Sequence, residues 1–211
     1  MSKSELFRDV YSDAKVQESE ANSVDSIGGV ITFIDGRMPQ VSELIEAEDY
    51  ERALPQLIDM YAFLCDKWNY PRIGEEWDVD DLWERLGWIC FRICYCYCEL
   101  EDYARAYYYI DIVRNVDSDC FMEWINVLVN SRRVDALMTV ESCINDPASI
   151  NDIFSDEVDQ KKIMDFLERR LAYLYIEKRE YAEARKLLEK LLSNPDSSEF
   201  AREELDYLDS L

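Results

Sequence analysis

The chain has 211 residues, and 48% of them are apolar, which is enough for a hydrophobic core and argues against wholesale disorder. With 23 basic and 46 acidic residues its formal net charge is −23, which repels phosphate backbones and anionic lipid headgroups and favours a basic partner. Only five glycines and five prolines occur, and this scarcity of turn residues favours helices over a β-sandwich or barrel.

The chain lacks several groups that catalysis commonly uses. It contains no histidine, the commonest general base and zinc ligand. Gly28 and Gly29 are not followed by the further glycine and the Lys-Ser/Thr pair of a phosphate-binding loop. An enzyme that uses paired carboxylates is suggested only by the number of acids. We therefore predict that the chain is not an enzyme and binds no cofactor.

Three observations bear on localisation. Residues 1–10 contain no apolar run of the length that a signal peptide needs. The longest apolar stretch, residues 86–98, is interrupted by Arg92 and is shorter than the roughly 20 residues that cross a bilayer. Seven cysteines, an odd number, fit a reducing compartment better than a disulfide framework. These features predict a cytoplasmic protein that binds neither membranes nor nucleic acid directly.

The N-terminal segment, residues 1–36, is the hardest part of the chain to interpret. Near its start, the spacing of five residues predicts a short amphipathic helix: Leu6, Phe7, Val10, Tyr11 and Ala14. The apolar, β-branched residues 27–34 fit either a strand or a buried helix.

One short pattern recurs three times in the remaining chain, residues 37–211. Its copies are Glu48-Asp49-Tyr50-Glu51-Arg52-Ala53, Glu101-Asp102-Tyr103-Ala104-Arg105-Ala106 and Arg179-Glu180-Tyr181-Ala182-Glu183-Ala184. Each copy follows one helical apolar pattern and begins another. Acidic residues at the start of a helix are stabilised by the positive end of the helix dipole. The small alanine lets two helices approach closely.

The clearest unit spans about residues 162–195. Its first helix has a large, a small and an aromatic residue in the order Leu171, Ala172 and Tyr175. Its second helix has the small Ala184 and the large Leu188, and Pro195 terminates the unit. This unit closely resembles a tetratricopeptide repeat. A second unit has the same register, with Ile93, Cys94, Tyr97, Ala106 and Ile110.

Two looser units complete the predicted array. In the first, Val41 replaces the small residue, and Pro55 is expected to kink the second helix. The other has Trp124, Ile125 and Leu128 in its first helix, and Val134, Leu137 and Met138 in its second. The resemblance implies an all-α, right-handed α-solenoid of about four helix-turn-helix units, at residues 37–67, 80–117, 119–146 and 162–195, with irregular insertions and a terminal helix at 197–209.

Cysteines at helical spacing could suggest a metal site. Cys90, Cys94 and Cys98 share one helix face, whereas Cys96 is expected to point elsewhere. No paired cysteine motif accompanies them, so we predict that they are small apolar packing residues and that no metal binds.

An acidic cluster precedes the second unit. Across residues 75–84 there are six acids and no base, among them Glu75, Glu76, Asp78, Asp80 and Asp81. These residues fit either a solvated loop that promotes solubility or a contact for a basic partner.

The resemblance also indicates a binding surface, because the first helices of tetratricopeptide units line a groove that takes peptides. The corresponding residues are Trp88, Phe91, Tyr95, Asn126, Asn130, Arg169 and Tyr173. Aromatic and arginine side chains are common in binding hot spots. Only Arg169 is basic, so clamping of a peptide carboxylate, which one subclass of the family performs, is not expected. Alternatively, Trp88 and Phe91 are covered by the N-terminal segment.

These features predict an adaptor that binds a protein or peptide partner, with a basic partner favoured. The alternative is an acidic decoy that imitates nucleic-acid charge and occupies a nucleic-acid-binding protein. An uncapped solenoid end can pair with a second copy, so a homo-oligomer is compatible with the sequence.

Overall fold

The computed structural model describes residues 26–73 and 76–211, and within these residues it contains helices and turns but no strand. The all-α fold class is therefore confirmed. The chain divides into two compact units, residues 1–96 and 97–211. The residues predicted to form a short helix near Leu6 lie outside the described part of the chain. None of the helices in the described ranges combines the length and apolar character needed to cross a membrane.

Unit 1 contains four helices in the part of the chain that the structure describes. They are α1 (Ile27–Asp35), α2 (Met38–Glu46), α3 (Tyr50–Lys67) and α4 (Asp80–Glu99), the last of which continues beyond the unit. Helix α1 contacts α2 and α3, which also pack against each other. Residues 27–34 are thus helical, with Val30 and Ile34 buried. Helix α3 continues through Pro55 to Lys67.

Unit 2 contains seven further helices in the described residues. They are α5 (Tyr103–Val113), α6 (Ser118–Asn130), α7 (Ala136–Asn145), α8 (Pro147–Ile153), α9 (Glu157–Glu177), α10 (Tyr181–Leu191) and α11 (Ser198–Ser210). Helix α9 contacts α6, α7, α8 and α10, while α5 packs on α6 and α11 packs on α10. Helix α8 lies between the predicted third and fourth units, where an insertion was expected. Helix α9 begins at Glu157, five residues before the predicted start of the fourth unit at residue 162.

The recurring sequence pattern has a recurring backbone geometry. Glu48, Glu101 and Arg179 have positive φ angles of 57°, 59° and 63°. The amide of each donates to the carbonyl three residues earlier, and the next amide donates to the carbonyl five residues earlier, at 2.8–2.9 Å. This is a Schellman motif, which ends one helix and allows the next to begin after three residues.

The small residues of the pattern pack where the helices are closest. Ala53, Ala106 and Ala184 are fully buried, as are Ala172 and Cys94 in the preceding helices. The prediction that these positions are buried is confirmed.

Three cysteines of α4 are fully buried, as expected of packing residues: Cys90, Cys94 and Cys96. Cys98 is half-buried. Burial raises the pKa of the Cys90 thiol well above its usual range and raises that of Cys65 to about 11. Both thiols are therefore protonated at neutral pH, as expected of packing residues.

The predicted register of α7 is wrong. Val134 and Met138 were expected to be buried, but they are 98% and 69% exposed. Ala136 and Val140 are buried instead, two residues further along the chain. The turn at residues 131–135 is two residues longer than the three Schellman turns, so the apolar face of the helix is shifted by the same amount.

Candidate functional site: two tyrosine-lined grooves

Unit 2 carries a groove of about 710 Å³ beside the turn between α9 and α10. It is lined by Tyr173, Ile176 and Glu177 of α9, Arg179 of the turn, Tyr181 of α10, and Glu204, Tyr207 and Leu211. We call it the unit 2 groove. Tyr181 and Tyr207 are 40% and 50% exposed, so their rings are accessible to a partner.

Two carboxyl groups shape the electrostatics of the unit 2 groove. The hydroxyl group of Tyr173 donates to Glu177 Oε1 at 3.0 Å. Partial burial and this hydrogen bond raise the pKa of Tyr173, so its hydroxyl stays protonated and continues to donate. Burial and the neighbouring Glu203 charge raise the pKa of Glu204, so a cation beside Glu204 would stabilise its ionised form.

Unit 1 carries a groove of about 340 Å³ beside the turn between α2 and α3. It is lined by Ser42, Ile45, Glu46, Glu48, Tyr50, Arg92 and Tyr95. We call it the unit 1 groove. The rings of Tyr50 and Tyr95 meet edge to face, with their centroids 6.0 Å apart. The Arg92 guanidinium carbon lies 5.4 Å from the Trp88 ring centroid and 5.6 Å from that of Phe91.

The two grooves use the same positions of the repeat. Ser42, Ile45, Glu46, Glu48 and Tyr50 have the same spacing as Tyr173, Ile176, Glu177, Arg179 and Tyr181. The next contributing helix supplies Arg92 and Tyr95 in unit 1, and Glu204 and Tyr207, again three residues apart, in unit 2. Tyr50 and Tyr95 of unit 1 thus correspond to Tyr181 and Tyr207 of unit 2. The charge is reversed at two equivalent positions, Glu48/Arg179 and Arg92/Glu204.

The structure assigns the predicted aromatic residues to these two surfaces. Tyr95 lines the unit 1 groove, and Trp88 and Phe91 are half-buried against Arg92 of the same groove. Tyr173 lines the unit 2 groove. The proposal that the N-terminal segment covers Trp88 and Phe91 concerns residues outside the described part of the chain.

Of the two predicted asparagines, Asn126 has a side-chain partner within its own helix. Asn126 Nδ2 donates to Glu123 Oε2 at 3.0 Å, while Asn126 Oδ1 is buried and has no hydrogen-bond partner among the described residues. Burial raises the pKa of Glu123, although the hydrogen bond from Asn126 and the charge of Arg170 oppose this shift. Asn130, at the end of α6, is exposed.

Arg169 contributes to the internal packing of unit 2. Its Nη1 donates to the hydroxyl oxygen of buried Ser197 at 2.9 Å. This bond connects α9 to the segment that precedes α11, so part of the Arg169 guanidinium already has a structural partner.

The acidic cluster is exposed where the structure describes it. Glu76, Asp78, Asp80 and Asp81 are exposed, whereas Glu75 lies outside the described residues. Asp80 and Asp81 are in the first turn of α4, where carboxylates stabilise the positive end of the helix dipole. These two acids therefore have a structural role that needs no partner.

Several groove residues were missed by the sequence analysis. Tyr50 and Tyr181 were interpreted only as residues that begin a helix, and Arg92, Glu204 and Tyr207 were not assigned to a site. The repeated tyrosine was the available signal, because it recurs at the same position of a pattern that already has a buried alanine.

The chain was also compared with known proteins. No family model matches it, no curated protein matches it, and no solved structure matches it. Its function is therefore inferred from the two grooves.

Proposed function

We infer that the chain is a cytoplasmic adaptor with tetratricopeptide-like units, which binds a segment of a partner protein. The observation that carries this proposal is the unit 2 groove, in which Tyr181 and Tyr207 remain partly exposed on helices. Tyrosine supplies a large contact area at a low cost in conformational entropy, and it is common in binding hot spots.

The arrangement of helices supports a repeat scaffold. Helix α9 contacts both helices of the preceding pair, α6 and α7, as well as its own partner α10. Contacts of this kind are expected when helical hairpins stack on their neighbours in a solenoid. The three identical turns add to this argument, because each joins two helices through the same backbone conformation.

The net charge of −23 favours a basic partner by accelerating encounter, whereas the affinity would come mainly from burial of the tyrosines. The exposed acids of residues 76–81 also fit the alternative, an acidic decoy for a nucleic-acid-binding protein. A decoy would lose affinity steeply with salt and compete with DNA.

A peptide-library selection tests the proposal. The full chain is used to select binders from a displayed random peptide library, and the best peptide is labelled with fluorescein for anisotropy measurements. We expect the Tyr181→Ala/Tyr207→Ala double variant to bind the peptide at least about tenfold more weakly than the wild type, since aromatic hot-spot residues contribute about 2 kcal/mol or more.

Tyr108→Ala is the matched control, because Tyr108 is an exposed tyrosine of the same unit that does not line the groove. Equal binding by the wild type and the groove variant would contradict the proposal. If the chain instead bound only nucleic-acid-binding proteins, and released them to DNA or moderate salt, the decoy alternative would replace it.

A further inference from the structure

We propose that the unit 2 groove binds a lysine or arginine side chain of the partner segment between Tyr181 and Tyr207, beside Glu177 and Glu204. This inference rests on the proposed function and specifies the chemistry of the partner. It is derived from the comparison of two equivalent positions, Arg92 in unit 1 and Glu204 in unit 2.

In unit 1 the chain supplies its own cation. Arg92 lines the groove with Tyr95 and lies within 6 Å of the Trp88 and Phe91 rings. A guanidinium group at this distance from an aromatic ring is attracted by the negative face of the ring. This position of the repeat therefore accommodates a cation beside aromatic side chains.

In unit 2 the same positions are acidic. Glu203 and Glu204 stand where unit 1 has Phe91 and Arg92, while the tyrosine that follows is retained as Tyr207. The ring of Tyr181 is also retained, as the equivalent of Tyr50. The unit 2 groove thus keeps the two lining tyrosines of the unit 1 groove but has carboxyl groups at the positions of Phe91 and Arg92.

The carboxyl groups of the unit 2 groove are suited to a cationic ligand. Glu177 accepts a hydrogen bond from Tyr173 at 3.0 Å, which orients its carboxylate, and Glu204 is partly buried beside Glu203. A lysine or arginine from a partner would relieve the repulsion between Glu203 and Glu204, and it would gain both charge-assisted hydrogen bonds and cation–π contacts.

Among the described residues that line the groove, Arg179 is the only basic one, and there are two glutamates. Its equivalent in the turn of unit 1 is the acidic Glu48. The later helix shows the opposite exchange, with Arg92 in unit 1 and Glu204 in unit 2. The cationic side chain is therefore expected on the Glu204 side of the groove, and an acidic residue of the same segment can contact Arg179.

The experiment uses the labelled peptide from the library selection and versions of it in which each lysine or arginine is replaced by norleucine. On the wild-type chain, one such replacement is expected to weaken binding about tenfold. Glu204→Gln should weaken binding of the original peptide about fivefold or more and change binding of that norleucine peptide less than about twofold. Glu189→Gln, an exposed acid of α10 outside the groove, is the matched control.

The outcomes separate this inference from the proposed function. A peptide that depends on Tyr181 and Tyr207, but not on any cationic residue or on Glu204, overturns the inference and leaves the adaptor function standing. Selected peptides that are acidic and bind through Arg179 also overturn it. If no peptide binds, both the adaptor function and this inference are wrong. Loss of binding on norleucine replacement, coupled specifically to Glu204, supports the inference.

Discussion

Tyr50 and Tyr95 meet edge to face, with ring centroids 6.0 Å apart and ring planes at 74° to each other. Tyr50 begins α3 and Tyr95 lies near the end of the unit 1 part of α4, so one aromatic contact connects these two consecutive helices. Both rings also line the unit 1 groove. The repeated tyrosine thus contributes to packing and to a surface at the same time.

This contact predicts a measurable coupling between the two rings. In a double-mutant cycle of Tyr50→Leu and Tyr95→Leu, we expect an interaction energy of about 0.5–1.5 kcal/mol, the range for aromatic pairs. Urea unfolding of the wild type, the single variants and the double variant measures it. The pair Tyr70→Leu and Tyr95→Leu is the control, because Tyr70 is exposed. Strictly additive effects of Tyr50→Leu and Tyr95→Leu would contradict the packing role.

The positive φ angle of Glu101 predicts that glycine is more stable there. A left-handed conformation costs a residue with a side chain about 1–2 kcal/mol, whereas glycine loses about 0.5–1 kcal/mol in chain entropy on folding. Glu101→Gly should therefore raise the free energy of unfolding by about 0.5–1 kcal/mol. Glu99→Gly, in the last turn of α4, should lower it by about 1 kcal/mol. A destabilised Glu101→Gly variant in thermal or urea unfolding would refute this prediction.

The close helix approach at Ala184 predicts that larger side chains are not tolerated. Ala184 is fully buried, so Ala184→Leu should destabilise the fold by about 1–3 kcal/mol through overpacking. Ala182→Leu places the same side chain on the exposed face of α10 and should change the free energy of unfolding by less than about 0.5 kcal/mol. Equal effects of the two substitutions in urea unfolding would argue against a tight crossing at Ala184.

Tyr175 predicts a specific dependence of stability on pH. Its hydroxyl donates to Glu141 Oε1 at 2.8 Å, and partial burial together with this bond raises the pKa of Tyr175 to about 12. The folded state favours the neutral hydroxyl, so the stabilisation is present below the unfolded pKa of about 10 and is lost as the pH rises towards 12.

Urea unfolding of Tyr175→Phe at two pH values measures this effect. At pH 8 we expect the variant to be less stable than the wild type by about 0.5–1.5 kcal/mol, the usual contribution of a hydrogen bond. At pH 11 the difference should be smaller. A difference that stays constant or grows with pH would show that the hydrogen bond to Glu141 is not its source.

The sequence predicts local features of this fold well, because they depend on neighbours three or four residues away. The burial of Ala53, Ala106 and Ala184 follows from helical spacing, and α4 begins at residue 80, where the second unit was predicted to begin. The α7 register was wrong because the five-residue turn before Ala136 has no glycine or proline to mark its length. Whether residues 27–34 form a helix or a strand depended on packing against α2 and α3, which spacing alone does not reveal.

The grooves were harder to predict, since they combine a local pattern with side chains from a later helix. Tyr181 belongs to the repeat, but Glu204 and Tyr207 join it only because α11 packs on α10. Likewise, Arg169 was assigned to a binding surface, and its hydrogen bond to Ser197 depends on the path of the chain between α10 and α11.

The central claim is that the partly exposed tyrosines of the unit 2 groove contact a partner segment. Nuclear magnetic resonance of the full chain with ¹³C-labelled tyrosine rings, titrated with the library-selected peptide, tests it most directly. We predict that the resonances of Tyr173, Tyr181 and Tyr207 shift on saturation, while those of the exposed Tyr70 and Tyr108 do not. Shifts confined to tyrosines outside the unit 2 groove would contradict the claim.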